Sequence, residues 1–201
     1  MHFGFRRYKR KGGSQKIDKP RKIKEALEGR SVVLVGLMGA GKSALGKRLA
    51  TLLDLTFADA DDEIEAAAGK TISDIFAEHG EAYFRDGEQR VIMRLLQGGP
   101  QILATGGGAF MNEITRKNIK EAGVSIWLKA DLDVLMDRVG RRTHRPLLQT
   151  DNPRAVMQKL MDERYPVYQA ADITIHSRDV THEVILDEII VALYKHLVQK
   201  G

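Results

Sequence analysis

The sequence predicts an α/β protein built on a parallel β-sheet. Two observations point to this class: short apolar runs alternate with helical patterns, and a glycine-rich pattern typical of phosphate binding follows the first run. A chain of 201 residues is long enough for one such domain with a sizeable core. The runs typical of buried strands comprise residues 31–35, 55–59, 101–105, 124–129 and 172–176.

The composition excludes several classes of protein. The chain has no cysteine, which excludes disulfides, thiol nucleophiles and cysteine-ligated zinc. No apolar run approaches the roughly 18 residues of a membrane span, and the first residues lack the apolar core of a signal peptide. We therefore expect a soluble cytoplasmic protein, and a monomer.

The positive charge is concentrated at the amino terminus. Residues 1–30 hold eleven Lys and Arg against three Asp and Glu, whereas the rest of the chain is mildly acidic. We expect residues 1–29 to form a basic, disordered extension, although residues 20–29 have the pattern of a short helix, and residues 30–201 to form the domain. Contact with nucleic acid or an acidic membrane is one interpretation of this charge. A solvated extension, or a start codon upstream of the true one, is the interpretation we favour, so we expect no nucleic-acid or membrane partner.

The first predicted strand leads into residues 36–43, which match G-x-x-x-x-G-K-[ST] at every fixed position. In this motif, the P-loop, backbone N–H groups curl around phosphate oxygens at the start of the next helix. Lys42 would reach the β- and γ-phosphates, and the Ser43 hydroxyl would ligate Mg²⁺. The alternative is a plain glycine turn in which Ser43 caps the helix. The motif indicates that the protein binds a nucleoside triphosphate with Mg²⁺.

The second predicted strand ends in two carboxylates. Asp59 and Asp61 lie two residues apart and point the same way if the strand continues through them. One carboxylate at this level would support Mg²⁺, and the other would accept the proton of an attacking hydroxyl. The alternative is that Asp61 or Asp62 caps the next helix.

Two helical patterns, at residues 61–79 and 80–97, separate the second run from the third. One crossover needs less chain, so one of the two is expected to be a substrate-holding insertion. Within it, Arg85 lies one turn before Glu88, a spacing that, taken alone, favours a surface ion pair. The third run ends in three glycines, 106–108, where a ligand would lie against backbone N–H groups. A flexible turn, the alternative, needs only one glycine.

Arginines are frequent near the carboxyl end of the chain. Residues 140–153 interrupt the helical pattern and are rich in Arg and Pro, as in a mobile lid. There, Arg141, Arg142 or Arg145 would stabilise charge on the transferring group. Arg164 has the fork-shaped guanidinium that suits a carboxylate. Any one of these arginines alone would be interpreted as a surface charge.

Taken in order, these features resemble the shikimate kinases over residues 30–197. The matching segments are Gly36-x-x-Gly39-x-Gly41-Lys42-Ser43, Phe57-x-Asp59-x-Asp61-x-x-Ile64-Glu65, Phe84-Arg85-x-x-Glu88, Gly106-Gly107-Gly108, Arg145-Pro146-Leu147-Leu148 and Arg164-x-x-x-Tyr168. The P-loop alone marks a large superfamily, whereas the later segments together are narrow in their distribution. The resemblance implies a P-loop kinase fold: a three-layer α/β/α sandwich around a five-stranded parallel sheet, with a substrate-binding helical insertion and a lid loop.

The resemblance also implies an activity, the ATP-dependent phosphorylation of the 3-hydroxyl of shikimate in chorismate and aromatic amino acid biosynthesis. Asp61 would meet that hydroxyl, and Arg85 and Arg164 would clamp the ring carboxylate, with backbone help from Gly107 and Gly108. Ser43 and Asp59 would hold Mg²⁺, and Lys42 and Arg145 would neutralise charge. Nucleotide binding is expected from Gly39, Ala40, Gly41, Lys42, Ser43, Ala44, Arg142 and Arg145.

Three other functions are alternatives for this sequence. A gluconate kinase would also use a P-loop and arginines on a polyol acid, but the Asp-x-Asp with three glycines argues against it. A GTPase would need an N-K-x-D motif, which the sequence lacks. A nucleic-acid-binding protein would act through the basic extension.

Overall fold

The computed structural model describes residues 18–141 and 151–199. These residues form five strands and eight α-helices, and a short 3₁₀ turn at Ala109–Met111. The strands are β1 (Ser31–Val35), β2 (Thr56–Asp59), β3 (Gln101–Ala104), β4 (Gly123–Lys129) and β5 (Ile173–His176). The helices are α1 (Lys19–Ala26), α2 (Lys42–Leu53), α3 (Ala60–Ala68), α4 (Ile72–Gln97), α5 (Glu113–Ala122), α6 (Leu132–Gly140), α7 (Pro153–Tyr168) and α8 (His182–Val198).

The strands form one parallel sheet in the order β2-β3-β1-β4-β5, flanked by helices. The central strand β1 is buried along its whole length, which explains why its sequence is continuously apolar and β-branched. All five predicted strands are confirmed to within one residue at each end. The predicted α/β sandwich is therefore confirmed, and it brings the carboxyl ends of β1, β2 and β3 together at one edge.

The amino-terminal boundary of the domain differs from the prediction. Helix α1 packs against α8, and Ile23 and Leu27 are fully buried in the main core. Residues 19–29 therefore belong to the compact domain rather than to the extension predicted for residues 1–29. Residues 1–17 lie outside the described residues.

The predicted helix at 61–79 is two elements. Helix α3 ends at Ala68 because Gly69 adopts a left-handed conformation (φ 63°), and Thr71 caps α4 through its side chain. Gly80 then breaks α4 with φ 79° and ψ 178°, at the junction predicted between the two helical patterns. This helical insertion has a small core of its own, formed by Ile64, Ile75 and Phe84.

No helix within the described ranges is both long and apolar enough to cross a membrane.

Candidate active site

The P-loop connects β1 to α2, as predicted. The N-cap position of α2 is occupied by Gly41, in a left-handed conformation (φ 97°). Ser43 lies inside the helix and therefore does not cap it. The first intrahelical hydrogen bond runs from the Leu45 N–H to the Gly41 carbonyl at 2.9 Å, so the N–H groups before it lie at the helix start, where phosphate groups typically bind. The Lys42 Nζ donates to the carbonyls of Gly36 and Leu37, at 2.8 and 3.1 Å, which folds the side chain over its own loop.

Asp59 links the P-loop to the second strand. Its Oδ2 accepts a hydrogen bond of 2.6 Å from the Ser43 hydroxyl, and its Oδ1 accepts from the Asp61 backbone N–H at 3.2 Å. The residue that caps α3 is therefore Asp59, and not Asp61 or Asp62, for which capping was the alternative to a role in catalysis. Asp59 both caps α3 and binds the Ser43 hydroxyl, because each interaction uses a different oxygen of its carboxylate.

The Ser43 and Asp59 pair fits a magnesium ion that also binds phosphates. Both side chains are partly buried and offer hard oxygen ligands 2.6 Å apart. Mg²⁺ typically takes only one or two protein oxygens and completes its shell with water and substrate phosphates. The described residues contain no group of three or more histidine or acidic side chains that could hold a metal ion.

The three glycines after β3 lie in a turn, in which the Ala109 N–H donates to the Gly106 carbonyl at 3.2 Å, and they also make space for neighbouring side chains. None of them has a positive φ, so any residue could adopt their backbone conformation. A Cβ at Gly106 would lie 2.7 Å from the Glu88 Oε1 and 2.8 Å from the Asp61 Oδ1. The two carboxylates therefore converge on the position from which Gly106 omits a side chain.

The next two glycines make room for the predicted carboxylate clamp. A Cβ at Gly107 would lie 3.1 Å from the Arg164 Nη1, and one at Gly108 would lie 2.6 Å from the Cζ and Nη2 of Arg85. The same Cβ at Gly107 would be 3.6 Å from the P-loop carbonyl of Gly36. The glycines thus bring two guanidinium groups, Asp61 and the phosphate-binding loop to one place.

Arg85 forms the ion pair that the sequence allowed as an alternative, but its partner is buried. Its Nη1 donates to the Glu88 Oε2 at 2.7 Å, and its Nε and Nη2 approach the exposed Glu81 at 3.3 Å. The Glu88 side chain is 3% exposed, and its Oε1 has no hydrogen-bond partner among the described residues. Burial raises the pKa of Glu88, although the positive charge of Arg85 lowers it, and the nearby Asp61 carboxylate raises it further.

Tyr168 closes the site from α7. Its hydroxyl donates to the carbonyl of Gly107, and its ring packs edge-on against Phe110. Burial raises the pKa of Tyr168 to about 12, although Arg164 nearby lowers it. Because this pKa is so high, the hydroxyl keeps its proton and fixes the glycine segment beside the guanidinium of Arg164.

Three contributors were missed as site residues: Glu88, Arg138 and Ser177. Glu88 was noted as an ion-pair partner and as part of a matching segment, without a role in the site, because burial of its carboxylate depends on how α4 lies against the glycines that follow β3. Arg138 lies in the last turn of α6 and donates to the P-loop carbonyl of Gly39 at 3.3 Å. Ser177 follows β5 directly, so reading the residue after the fifth strand as closely as the first three would have found it. Arg142 and Arg145 lie outside the described residues, and their roles stay predictions.

The comparisons with known proteins agree on one family. The family model described as shikimate kinase matches residues 38–194. A shikimate kinase from Bradyrhizobium diazoefficiens is 61% identical over 175 residues, which cover 87% of this chain and 84% of that protein. The structure of an Acinetobacter baumannii shikimate kinase in complex with shikimate has a TM-score of 0.82 and 34% identity, covering 88% of this chain and 99% of that one. A gluconokinase from Sinorhizobium meliloti shares the fold alone, with a TM-score of 0.58 at 18% identity over 86% of this chain and 95% of that one.

Proposed function

Because the chain belongs to the shikimate kinase family, we propose that it transfers the γ-phosphoryl group of ATP to the 3-hydroxyl of shikimate. The observation that carries this proposal is the convergence of Asp61, Arg85 and Arg164 on three glycines beside the P-loop. A cyclic acid with several hydroxyls offers a carboxylate to the arginines and a hydroxyl to the aspartate. A neutral sugar would offer no carboxylate to the two guanidinium groups, and so would lose the charged hydrogen bonds that an acid makes there.

In this proposal, catalysis depends on position and charge. The hydroxyl attacks phosphorus in line with the leaving ADP oxygen, and little covalent chemistry is required of the protein. Asp61 would orient the hydroxyl and accept its proton. Lys42 would leave the carbonyls that it contacts and place its charge on the phosphates, and Arg145 would add a second positive charge.

Magnesium belongs to the same proposal. Bound through Ser43 and Asp59, it would neutralise phosphate charge and fix the orientation of the γ-phosphoryl group. The hydrogen bond between these two side chains supports the assignment, because it already holds the hydroxyl beside the carboxylate.

A coupled assay of ADP release tests the function. Shikimate, gluconate and nucleoside monophosphates are offered in turn, each with ATP and Mg²⁺. Turnover with shikimate at least a hundredfold above the others is expected. Preference for gluconate would overturn the substrate assignment, and ADP release that is independent of any acceptor would overturn the kinase assignment.

The remaining predictions concern the extension, the cellular location and the oligomeric state. A truncation that begins at Asp18 removes the basic segment but keeps α1, whose buried residues are part of the core. If the truncated protein has the same kinase activity and the same nucleic-acid binding as the full chain, the extension has no nucleic-acid partner. A loss of nucleic-acid binding on truncation would contradict this. Cell fractionation and light scattering test the proposed cytoplasmic monomer.

A further inference from the structure

Two side chains from outside the P-loop hold its backbone carbonyls. The Arg138 Nη1 of α6 donates to the carbonyl of Gly39 at 3.3 Å. The Ser177 hydroxyl, just beyond β5, donates to the carbonyl of Ala40 at 2.8 Å. Both contacts join elements that lie about 100 or more residues away in sequence, so the fold and not the motif supplies them.

These contacts determine the direction of the N–H groups. A peptide unit is planar and trans, so its N–H points opposite to its C=O. Ser177 holds the carbonyl of Ala40, which belongs to the same peptide unit as the N–H of Gly41. The N–H of Gly41 must therefore point away from Ser177. The preceding unit is held at both ends, since the N–H of Ala40 also donates to the carbonyl of Leu37 at 3.1 Å.

Ser177 is itself fixed on the sheet. Its backbone N–H donates to the carbonyl of Lys129 at the end of β4, at 2.7 Å. Its hydroxyl accepts from the Arg138 Nη1 at 2.8 Å while it donates to Ala40. The Arg138 Nη2 donates to the carbonyl of Arg178 at 2.7 Å, so the guanidinium is held on both sides. Ser177 is 3% exposed, and its hydroxyl has one donor and one acceptor and no freedom to turn.

We propose that Ser177 is a positioning residue that pre-orients the P-loop for the phosphates of ATP, with Arg138 fixing its hydroxyl. Nucleotide binding then does not have to order the Ala40–Gly41 peptide unit, because the fold has already ordered it. Ser177 lies on the carbonyl side of that peptide and acts through the loop. It should therefore affect the affinity for ATP and not the affinity for the acceptor. The inference rests on the proposed function only in that the loop binds ATP.

The test compares Ser177→Ala with Ser125→Ala. Ser125 is a matched control, because it is also 3% exposed and its hydroxyl also bonds within the fold, to Asp172 at 2.6 Å, away from the loop. Dissociation constants for ATP are measured by calorimetry without shikimate, and KM values for both substrates by the coupled assay. Ser177→Thr restores a hydroxyl, and thermal unfolding of each variant reports on the fold.

Ser177→Ala should weaken ATP binding about fivefold or more, the size of one lost hydrogen bond, with the KM for shikimate within about twofold of the parent value. Ser125→Ala should leave ATP binding unchanged at a comparable loss of Tm, and Ser177→Thr should recover most of the affinity. Unchanged ATP affinity in Ser177→Ala, or equal losses in both alanine variants, would overturn the inference. Parent protein that binds no ATP would instead overturn the proposed function.

Discussion

Replacing Arg85 with alanine separates the two roles that this side chain has in the structure. Arg85 pairs with Glu88, whose carboxylate is almost completely buried, and it also lies against Gly108, where a substrate carboxylate is proposed to bind. Arg85 itself is 29% exposed. A purely structural ion pair and a ligand clamp therefore make different predictions for the same substitution.

The structural cost follows from the burial of Glu88. Removing one partner of a buried ion pair typically costs about 3–5 kcal/mol, because the other charge stays buried and uncompensated. Partial exposure of Arg85 and the raised pKa of Glu88 both reduce this cost, so we expect about 2–3 kcal/mol. For a chain of this length, that corresponds to a fall in Tm of roughly 4–12 °C. The functional cost is the loss of charged hydrogen bonds to the substrate, about 1.5–3 kcal/mol each, or roughly 10- to 150-fold in affinity for shikimate.

Thermal unfolding, KM for shikimate and the dissociation constant for ATP are measured on Arg85→Ala and on the double variant Arg85→Ala/Glu88→Gln. The double variant removes the buried charge, so it should regain stability but not affinity for shikimate. Arg90→Ala is the matched control: Arg90 pairs with Asp86 on the same helix, but it is 64% exposed, and we expect a change below about 0.5 kcal/mol. If Arg85→Ala kept its KM for shikimate, or if the double variant regained affinity, the carboxylate clamp would be refuted.

Three further substitutions test the rest of the site. Lys42→Met should abolish ADP release with little change in Tm, because the ammonium acts on transition-state charge; a folded variant with normal turnover would contradict the P-loop assignment. Asp59→Asn keeps an oxygen that caps α3 but removes the charge, so the Mg²⁺ concentration for half-maximal activity should rise at least about tenfold, and an unchanged Mg²⁺ titration would exclude the metal role. Since the pKa of Glu88 is raised in the folded state, the contribution of Glu88 to stability should fall as pH rises from the unfolded value of about 4.3 through the folded one. In urea unfolding across pH 4–7, the parent protein should therefore lose stability relative to Glu88→Gln as pH rises, and a constant difference between the two would mean that Glu88 does not titrate there.

The sequence predicted those parts of the site that depend on short spacing. The P-loop is one continuous segment, so its motif alone specifies the strand, the loop and the helix start. The five strands were also predictable, because burial on both faces of a parallel sheet gives continuous apolar runs. The glycines at 106–108 were recognised as unusual in number, and the structure gives the physical reason, since each omitted Cβ leaves room for a charged side chain.

The parts that were missed depend on distant packing. Burial of α1 was not predicted, because Ile23 and Leu27 lie within a strongly basic stretch and only contact with α8 shows that they face the core. The sequence offered Asp61 or Asp62 as an alternative cap of α3, whereas the cap is Asp59, because sequence spacing fixes a helix start only to within one or two residues. The position of Ser177 after β5 indicates that it lies at the edge of the sheet that holds the site, but the P-loop carbonyl that it holds is 137 residues away, so no local pattern predicts their contact.

The two carboxylates that hold Arg85 differ in a way that bears on substrate binding. Glu88 holds the Nη1 at 2.7 Å and is buried, whereas Glu81 lies 3.3 Å from the Nε and Nη2 and is 69% exposed. If Arg85 clamps the substrate carboxylate as proposed, the edge formed by Nε and Nη2 is the one that can exchange its partner, because Glu81 returns to water at little cost. That edge also has the two parallel N–H groups that a carboxylate accepts in bidentate fashion. Glu88 would then keep the guanidinium in place throughout the exchange, which explains why a carboxylate that is costly to bury is tolerated beside the substrate site.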